Sequence, residues 1–332
     1  MNQEMRVRFT DEVRTKAANL YDVSTAGLNL LGNHQSYVYG YEKGGNEYIL
    51  RISHSSHRSV NQIEAELNWI EYLAENGVAV SRPVHSYAGS RIETLEINQD
   101  KFIVVAYNKA AGNPWSDAIS QNEEFKLLGK LTGNMHSLTK RYEPLTTQPK
   151  RFLWYENDYL QAFTQNVPAA SPLIVDNFQR LIKKIHLLPK CSESFGLIHG
   201  DFCFGNYSVK ADGTITVFDF DECQYGWFVQ DIAVNLFYGI AVPSDDEDAT
   251  SFVQRYLTYF LEGYLEENTI DHRLLLKQLA IFLDLRQAVL YSSLHRNGHI
   301  ENLDPWSKTF LERAEKNMLH ERSFIDIEML NL

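Results

Sequence analysis

Cysteine is scarce in this sequence. Cys191, Cys203 and Cys223 are its only three, spaced without a CxxC pair. They supply neither a disulfide framework nor a cysteine-rich zinc site, and reduced thiols are expected. No apolar run approaches the ~20 residues that a membrane helix needs. The opening MNQEMRVRFT mixes charges and carries no apolar segment of the secretory-signal kind. A cytoplasmic location without a membrane partner is the resulting expectation. Basic residues are also short, 31 Lys and Arg against 43 Asp and Glu, for a formal charge of −12. Phosphate backbones are bound by clustered Lys and Arg, so no nucleic-acid partner is expected. Internal repeats and low-complexity tracts are absent too.

What is present is enough for two cores. A chain of 332 residues with 44% hydrophobic content suits two packed lobes. YVYGY (37–41) and EYILRI (47–52) flank EKGGN and predict a hairpin. In NQIEAELNWIEYLAENG, Ile63, Leu67, Ile70 and Ala74 recur at helical spacing, and Gly77 stands at the stop. RIETLEI and KFIVVAY predict a second hairpin turning at 98–100. After Asn108 the stripes are helical, and LDPWSKTFLERAEKNML opens with Asp304 as N-cap and Pro305 at the first helical position. The expected organisation is a small sheet-rich lobe with one main helix (1–108) and a larger, mostly helical lobe (109–332), an α+β chain in which a hairpin interrupts the helices at 207–220.

That hairpin carries chemistry. In GLIHGDFCFGNYSVKADGTITVFDFDE (196–222), YSVK and TITVFDF flank Asp212-Gly213, the signature of a two-residue type I′ turn. Such a turn sets Asn206 opposite Asp219, with Cβ atoms ~4.5–5.5 Å apart. An amide oxygen and a carboxylate at that separation can share Mg²⁺, a hard cation that keeps waters or phosphates in its remaining positions. Asp201 lies five residues before Asn206, in the loop that enters the hairpin. A wet hairpin end would explain Asn206 but not an Asp directly after TVF, repeated as Asp221.

His199-Gly200-Asp201, then Asn206, then the strand ending at Asp219 resemble the catalytic segment of the aminoglycoside phosphotransferase and choline kinase superfamily, which includes homoserine kinase type II-like members. The likeness runs from about Leu30 into the C-terminal helices and is strongest over 196–233. It implies a two-lobed protein-kinase-like fold, ATP and Mg²⁺ as cofactors, and γ-phosphate transfer to the hydroxyl of a small molecule. It implies Asp201 as the base that takes the hydroxyl's proton, Asn206 and Asp219 as Mg²⁺ ligands, and Asp231 as a brace of the catalytic loop. Asp221 is expected to support the site.

Glu66 stands out without any resemblance. It falls three residues after Ile63 and four before Ile70, on the apolar stripe of its helix. A carboxylate buried there needs a partner, and Arg51 on the neighbouring strand offers one. In the resembled family that strand carries a phosphate-binding Lys held by a helix Glu. Arg51 departs from the pattern, and a guanidinium does not replace an ammonium freely. The resemblance further implies nucleotide contacts from Gly32 and Ser36 in LLGNHQSYVYGYEKG, a stretch with few glycines, and adenine contacts from backbone groups near Val105 and Tyr107.

Only ECQYGWFVQ separates Asp221 from Asp231, too short for a peptide-binding activation segment. A small hydroxylated acceptor is favoured accordingly: a sugar, an amino alcohol or a hydroxy amino acid. Trp154, Tyr155, Tyr291, Trp306 and the acidic 244–250 loop are weaker candidates to line it. His54 and His57 are read as a solvated loop, and His136 as a satisfied, partly buried histidine. His199 is expected to shape the catalytic loop. Alternatives are a protein Ser/Thr kinase of the same superfamily, a nucleotide-binding pseudokinase scaffold, and distantly a glycosidase using Asp201 and Asp219. The acceptor and oligomeric state are not legible.

Overall fold

The computed structural model describes residues 8–113, 121–144, 147–168, 171–241, 247–296 and 300–326. The chain gathers into two compact units: Met1–Ala111 with Glu143–Arg151 and Thr216–Asp221, and Gly112–Tyr142 with Phe152–Ile215 and Glu222–Leu332. Relative to the expected division at 108/109, the crossing falls after Ala111 and two later segments return to the first unit.

Among the described residues, the first unit is a six-stranded antiparallel sheet with two α-helices. Helix α1 (Asp11–Leu20) precedes β1 (Asn29–Gly32), β2 (Tyr37–Lys43) and β3 (Asn46–His54). Helix α2 (Val60–Glu75) is followed by β4 (Pro83–Val84), β5 (Glu93–Ile97) and β6 (Asp100–Asn108). The order is β1-β2-β3-β6-β4, with β5 also on β6. Both expected hairpins form. Lys43 pairs with Asn46 across Gly44-Gly45, and Ile97 with Asp100 across Asn98-Gln99, with positive φ at all four turn residues. That is the two-residue turn whose twist matches the strands. Val13 and Ala17 of α1 pack on Tyr39, Leu50, Ile52, Phe102 and Val104. Helix α2 starts on a capping box, with Ser59 Oγ accepting from Gln62 N–H and Gln62 Oε1 from Ser59 N–H. It closes where Val78 N–H reaches back to Leu73 O, 3.0 Å.

The second unit is helical around short strands. Helices α3 (Gln121–Thr139) and α4 (Pro172–His186) lead to β7 (Phe195–Ile198), β8 (Tyr207–Val209), β9 (Ile215–Val217) and β10 (Gln224–Trp227). Helices α5 (Phe228–Ile240), α6 (Ala249–Glu267), α7 (His272–Arg296) and α8 (Pro305–Leu319) complete it. Asp304 caps α8 as expected, accepting from Ser307 N–H at 3.0 Å. Strand β10 pairs antiparallel with β7, Gln224 opposite Ile198.

The turn between β8 and β9 corrects the sequence reading. A two-residue turn would pair Lys210 with Ile215, but Lys210 N–H donates to Thr214 O at 3.0 Å and Gly213 N–H to Lys210 O at 2.9 Å. Only Gly213 has positive φ there, +82°. Ala211-Asp212 therefore form the centre of an ordinary turn, and Gly213 is the left-handed bulge residue that follows it. The Asp212 carboxylate accepts from Thr214 N–H at 2.9 Å, a local bond that favours this arrangement. The register argument that set Asn206 opposite Asp219 loses its basis.

Candidate active site

The loop that carries Asp201 is built on the end of β7. His199 and Gly200 each present a backbone N–H to Asp231, in the first turn of α5, at 2.9 Å and 2.8 Å to its two carboxylate oxygens. His136 Nε2 lies 3.4 Å from Asp231 Oδ2, and its Nδ1 is 3.0 Å from the Tyr264 hydroxyl. So His136 is a buried, satisfied histidine and Asp231 braces the loop. Position 200 admits no side chain. Its φ is +78°, and an added Cβ would collide with Glu222 O.

This brace delivers Asp201 with its side chain partly open, 26% exposed. Asp201 N–H is 3.3 Å from His199 Nδ1, consistent with a loop-shaping histidine. The Asn206 amide nitrogen donates to Asp201 O at 2.8 Å and to Asp201 Oδ2 at 3.1 Å. An amide turned this way directs its carbonyl oxygen away from the aspartate. The spacing of Asp201 and Asn206 thus brings the two side chains into contact.

Arg286 was not anticipated. From α7 its Nη2 donates to Asp201 Oδ1 and to the Tyr238 hydroxyl of α5. The guanidinium lies 5.2 Å from the Tyr238 ring centroid, and that ring stacks on Trp306. Burial pushes the Tyr238 hydroxyl up to about 12, against the pull of Arg286. A signal existed. Arg286 follows Phe282 by four residues and Leu279 by seven, both buried, so it is a charge on an apolar stripe, as Glu66 is.

In the first unit, Arg51 and Glu66 do pair. Arg51 Nη2 is 2.8 Å from Glu66 Oε2, with the side chains 6% and 0% exposed. The Tyr107 hydroxyl donates to Glu66 Oε1 at 3.1 Å, and its ring sits 5.2 Å from the guanidinium. Asp221 joins them, 3.7 Å from Arg51 Nη1, 2.7 Å from His57 Nε2 and 3.3 Å from Arg58 Nη2. Arg58 Nε and Arg151 also donate to Asp221 O. Burial pushes the Asp221 carboxyl up, but Arg58, His57 and Arg51 outweigh it and hold it well below the usual carboxylate range. Burial likewise opposes the charge on Arg51, and Glu66 with its neighbours keeps it more firmly protonated than usual. His57 is therefore a hydrogen-bond partner of Asp221, 9% exposed, not part of a solvated loop. Two residues before Asp221, Asp219 holds the left-handed backbone at φ +61°. Non-glycine residues so placed cluster at functional sites.

The remaining expected nucleotide residues fare unevenly. Gly32 ends β1, where the pairing with β2 slips, and an added Cβ would touch nothing within 4 Å. Ser36 is buried and shares a 2.7 Å hydroxyl bond with Ser53. The expectation for Val105 and Tyr107 is corrected. Asn108 N–H donates to Arg82 O beside β4, and Lys109 N–H to Glu47 O beside β3. Backbone groups alternate along a strand, so those of Val105 and Tyr107 face β3, opposite Arg51 and Ile49, inside the ladder. They are not presented to a base. Among the acceptor candidates, Trp154 and Tyr291 are core residues and Trp306 is 36% exposed. Glu247 chelates Arg255, and Asp248 caps α6. The earlier part of that acidic loop, 244–246, lies outside the described residues.

A braced Asp–Asn pair after a short strand, on an α+β chain of this topology, marks a kinase-like phosphotransferase. Comparison with known proteins agrees. Residues 30–267 match the model of the phosphotransferase enzyme family. Amicoumacin kinase of Bacillus subtilis (strain 168) is 33% identical over 310 residues, 92% of this chain and 91% of that one. The solved structure of amicoumacin kinase hAmiN in complex with AMP-PNP, Ca²⁺ and Ami superposes with a TM-score of 0.89 at 31% identity, covering 99% of both chains. A microcompartment-associated aminopropanol kinase shares the fold, with a TM-score of 0.73 at 21% identity over 95% of this chain and 99% of that one. The chain belongs to the phosphotransferase enzyme family. It is a small-molecule kinase with a hydroxyl as acceptor. Among the described residues no helix is long and apolar enough to cross a membrane.

Proposed function

We propose that the chain transfers the γ-phosphate of ATP, with Mg²⁺, to a hydroxyl of amicoumacin or a closely similar antibiotic. The observation that carries this is the Asp201–Asn206 contact on a loop braced by Asp231, together with the amicoumacin kinases as similar sequence and structure. Asp201 takes the proton of the acceptor hydroxyl. Asn206 and Asp219 would hold the cation, both offering the hard oxygens that Mg²⁺ takes. When bound, the cation neutralises charge on the β- and γ-phosphates. Arg51, held by Glu66, and the turn carrying Gly32 and Ser36 serve the nucleotide phosphates. Little covalent chemistry is asked of the protein, because this transfer depends on positioning and electrostatics. A protein acceptor is disfavoured, since residues 224–227 are a strand on β7 and leave no peptide platform before α5.

ADP release should be measured with amicoumacin, 1-aminopropan-2-ol, an aminoglycoside and homoserine, with Asp219→Ala as blank. Amicoumacin is expected to be the best acceptor. Asp201→Asn should lower turnover by about 10²–10⁴-fold with ATP binding retained. Wild-type turnover in that variant refutes the base assignment, and ADP release that none of these acceptors stimulates refutes the acceptor reading.

A further inference from the structure

We propose that Arg286 is a positioning residue for phosphoryl transfer, holding the Asp201 carboxylate in the orientation that receives the acceptor's proton, with Tyr238 as its support. This rests on the reading of Asp201 as base. A carboxylate on a loop can turn about its last bond, and a turned base no longer meets the hydroxyl in line with the phosphate. Here both oxygens are tied: Oδ1 by Arg286 Nη2 and Oδ2 by Asn206 Nδ2 at 3.1 Å. Each carboxylate oxygen has two lone pairs, so one donor on each fixes the plane and leaves directions open for the incoming proton.

Arg286 is itself immobilised. Its side chain is 12% exposed, it shares Nη2 with the Tyr238 hydroxyl, and the Tyr238 ring beneath it is stacked on Trp306. Among the described residues, its buried Nε has no hydrogen-bond acceptor. Guanidinium also suits the task chemically. It stays protonated at any working pH, so it donates to Asp201 without delivering a proton to it. In the transfer, the acceptor oxygen forms its bond to the γ-phosphorus and its proton passes to Asp201. The bond from γ-phosphorus to the bridging oxygen breaks with its electron pair leaving on ADP.

The test uses Arg286→Ala, Arg286→Lys and Tyr238→Phe in the full-length protein. Acceptor-dependent kcat, acceptor KM and the nucleotide Kd are measured separately. A lost orientation should lower kcat of Arg286→Ala by about 10–100-fold, with nucleotide Kd and acceptor KM held within about twofold. Arg286→Lys should recover part of kcat, because a cationic donor returns without the planar fork. Tyr238→Phe should show a smaller loss in the same direction. The proposal is overturned if kcat of Arg286→Ala stays within about twofold of wild type, or if its fall only tracks lost thermal stability and nucleotide binding. If wild type phosphorylates none of the acceptors, the functional reading fails by itself. A crystal structure of Arg286→Ala then decides the positioning claim: a carboxylate turned off Asn206 supports it, and an unmoved one overturns it.

Discussion

Replacing Glu66 with alanine should be among the most destabilising single changes available in the first unit. The carboxylate is fully buried, accepts from the Tyr107 hydroxyl and is paired with Arg51, itself 6% exposed. Removing one partner of a buried pair costs about 3–5 kcal/mol, because the other charge stays desolvated. Orphaning the buried tyrosine hydroxyl adds about 1–3 kcal/mol. Asp221, 3.7 Å from Arg51 Nη1, returns part of this, on the order of 1–2 kcal/mol once its competing ties to Arg58 and His57 are counted. The net loss is about 3–6 kcal/mol, a large share of the roughly 5–15 kcal/mol that holds a domain together. Glu66→Gln keeps an acceptor for Tyr107 and should cost about half as much. The double change Arg51→Met with Glu66→Leu should lie within about 2 kcal/mol of wild type, because no charge is stranded. Two units need not unfold together, so urea denaturation should be read by hydrogen exchange at α2 and β3 amides. A loss below about 1 kcal/mol in Glu66→Ala would refute the reasoning, as would a double variant less stable than either single one.

Two further outcomes follow from carboxylates in the second unit, Asp231 buried and Asp284 half-buried. Asp231→Ala strands the N–H groups of His199 and Gly200, and should cost about 2–4 kcal/mol and lower kcat by loosening the loop; unchanged turnover with faster exchange at those amides would separate brace from catalysis. Burial pushes the Asp284 carboxyl up to about 7, against the Phe324 N–H that it accepts. Its folded value lies above the unfolded one near ~3.9, so the folded protein holds the extra proton and stability should fall as pH rises from about 4 to about 7. Asp284→Asn should remove that slope, by at most about 4 kcal/mol. Parallel stability–pH curves for wild type and variant would show Asp284 to be ionised normally.

Legibility followed distance along the chain. Asp201 and Asn206 are five residues apart, and the sequence placed both at the entrance of one hairpin; their direct contact came from the structure. Glu66 was readable because helical spacing makes a misplaced charge visible, and Arg51 because the strand beside the helix offered one cation. Arg286 reaches Asp201 across 85 residues. Its helix advertised an odd charge but not which carboxylate would answer it. His57, Arg58 and Arg151 converge on Asp221 in the same unannounced way. The β8–β9 turn failed for a finer reason: Asp-Gly supports two turn types, and the bond from Thr214 N–H to Asp212 selects between them.

Local chemistry, written in residue order, determined that this chain makes two hairpins and a capped helix in its first part, becomes helical afterwards, and carries an Asp and an Asn five residues apart on a glycine-dependent loop. Those features need only spacing, period and turn preference, which act over a few residues. Only the tertiary structure decided which edge of β6 each backbone group faces, which donors gather on Asp221, and that an arginine from α7 meets the Asp201 carboxylate. Such choices depend on strand register and on side chains meeting from remote segments, and a shift of one residue reverses them.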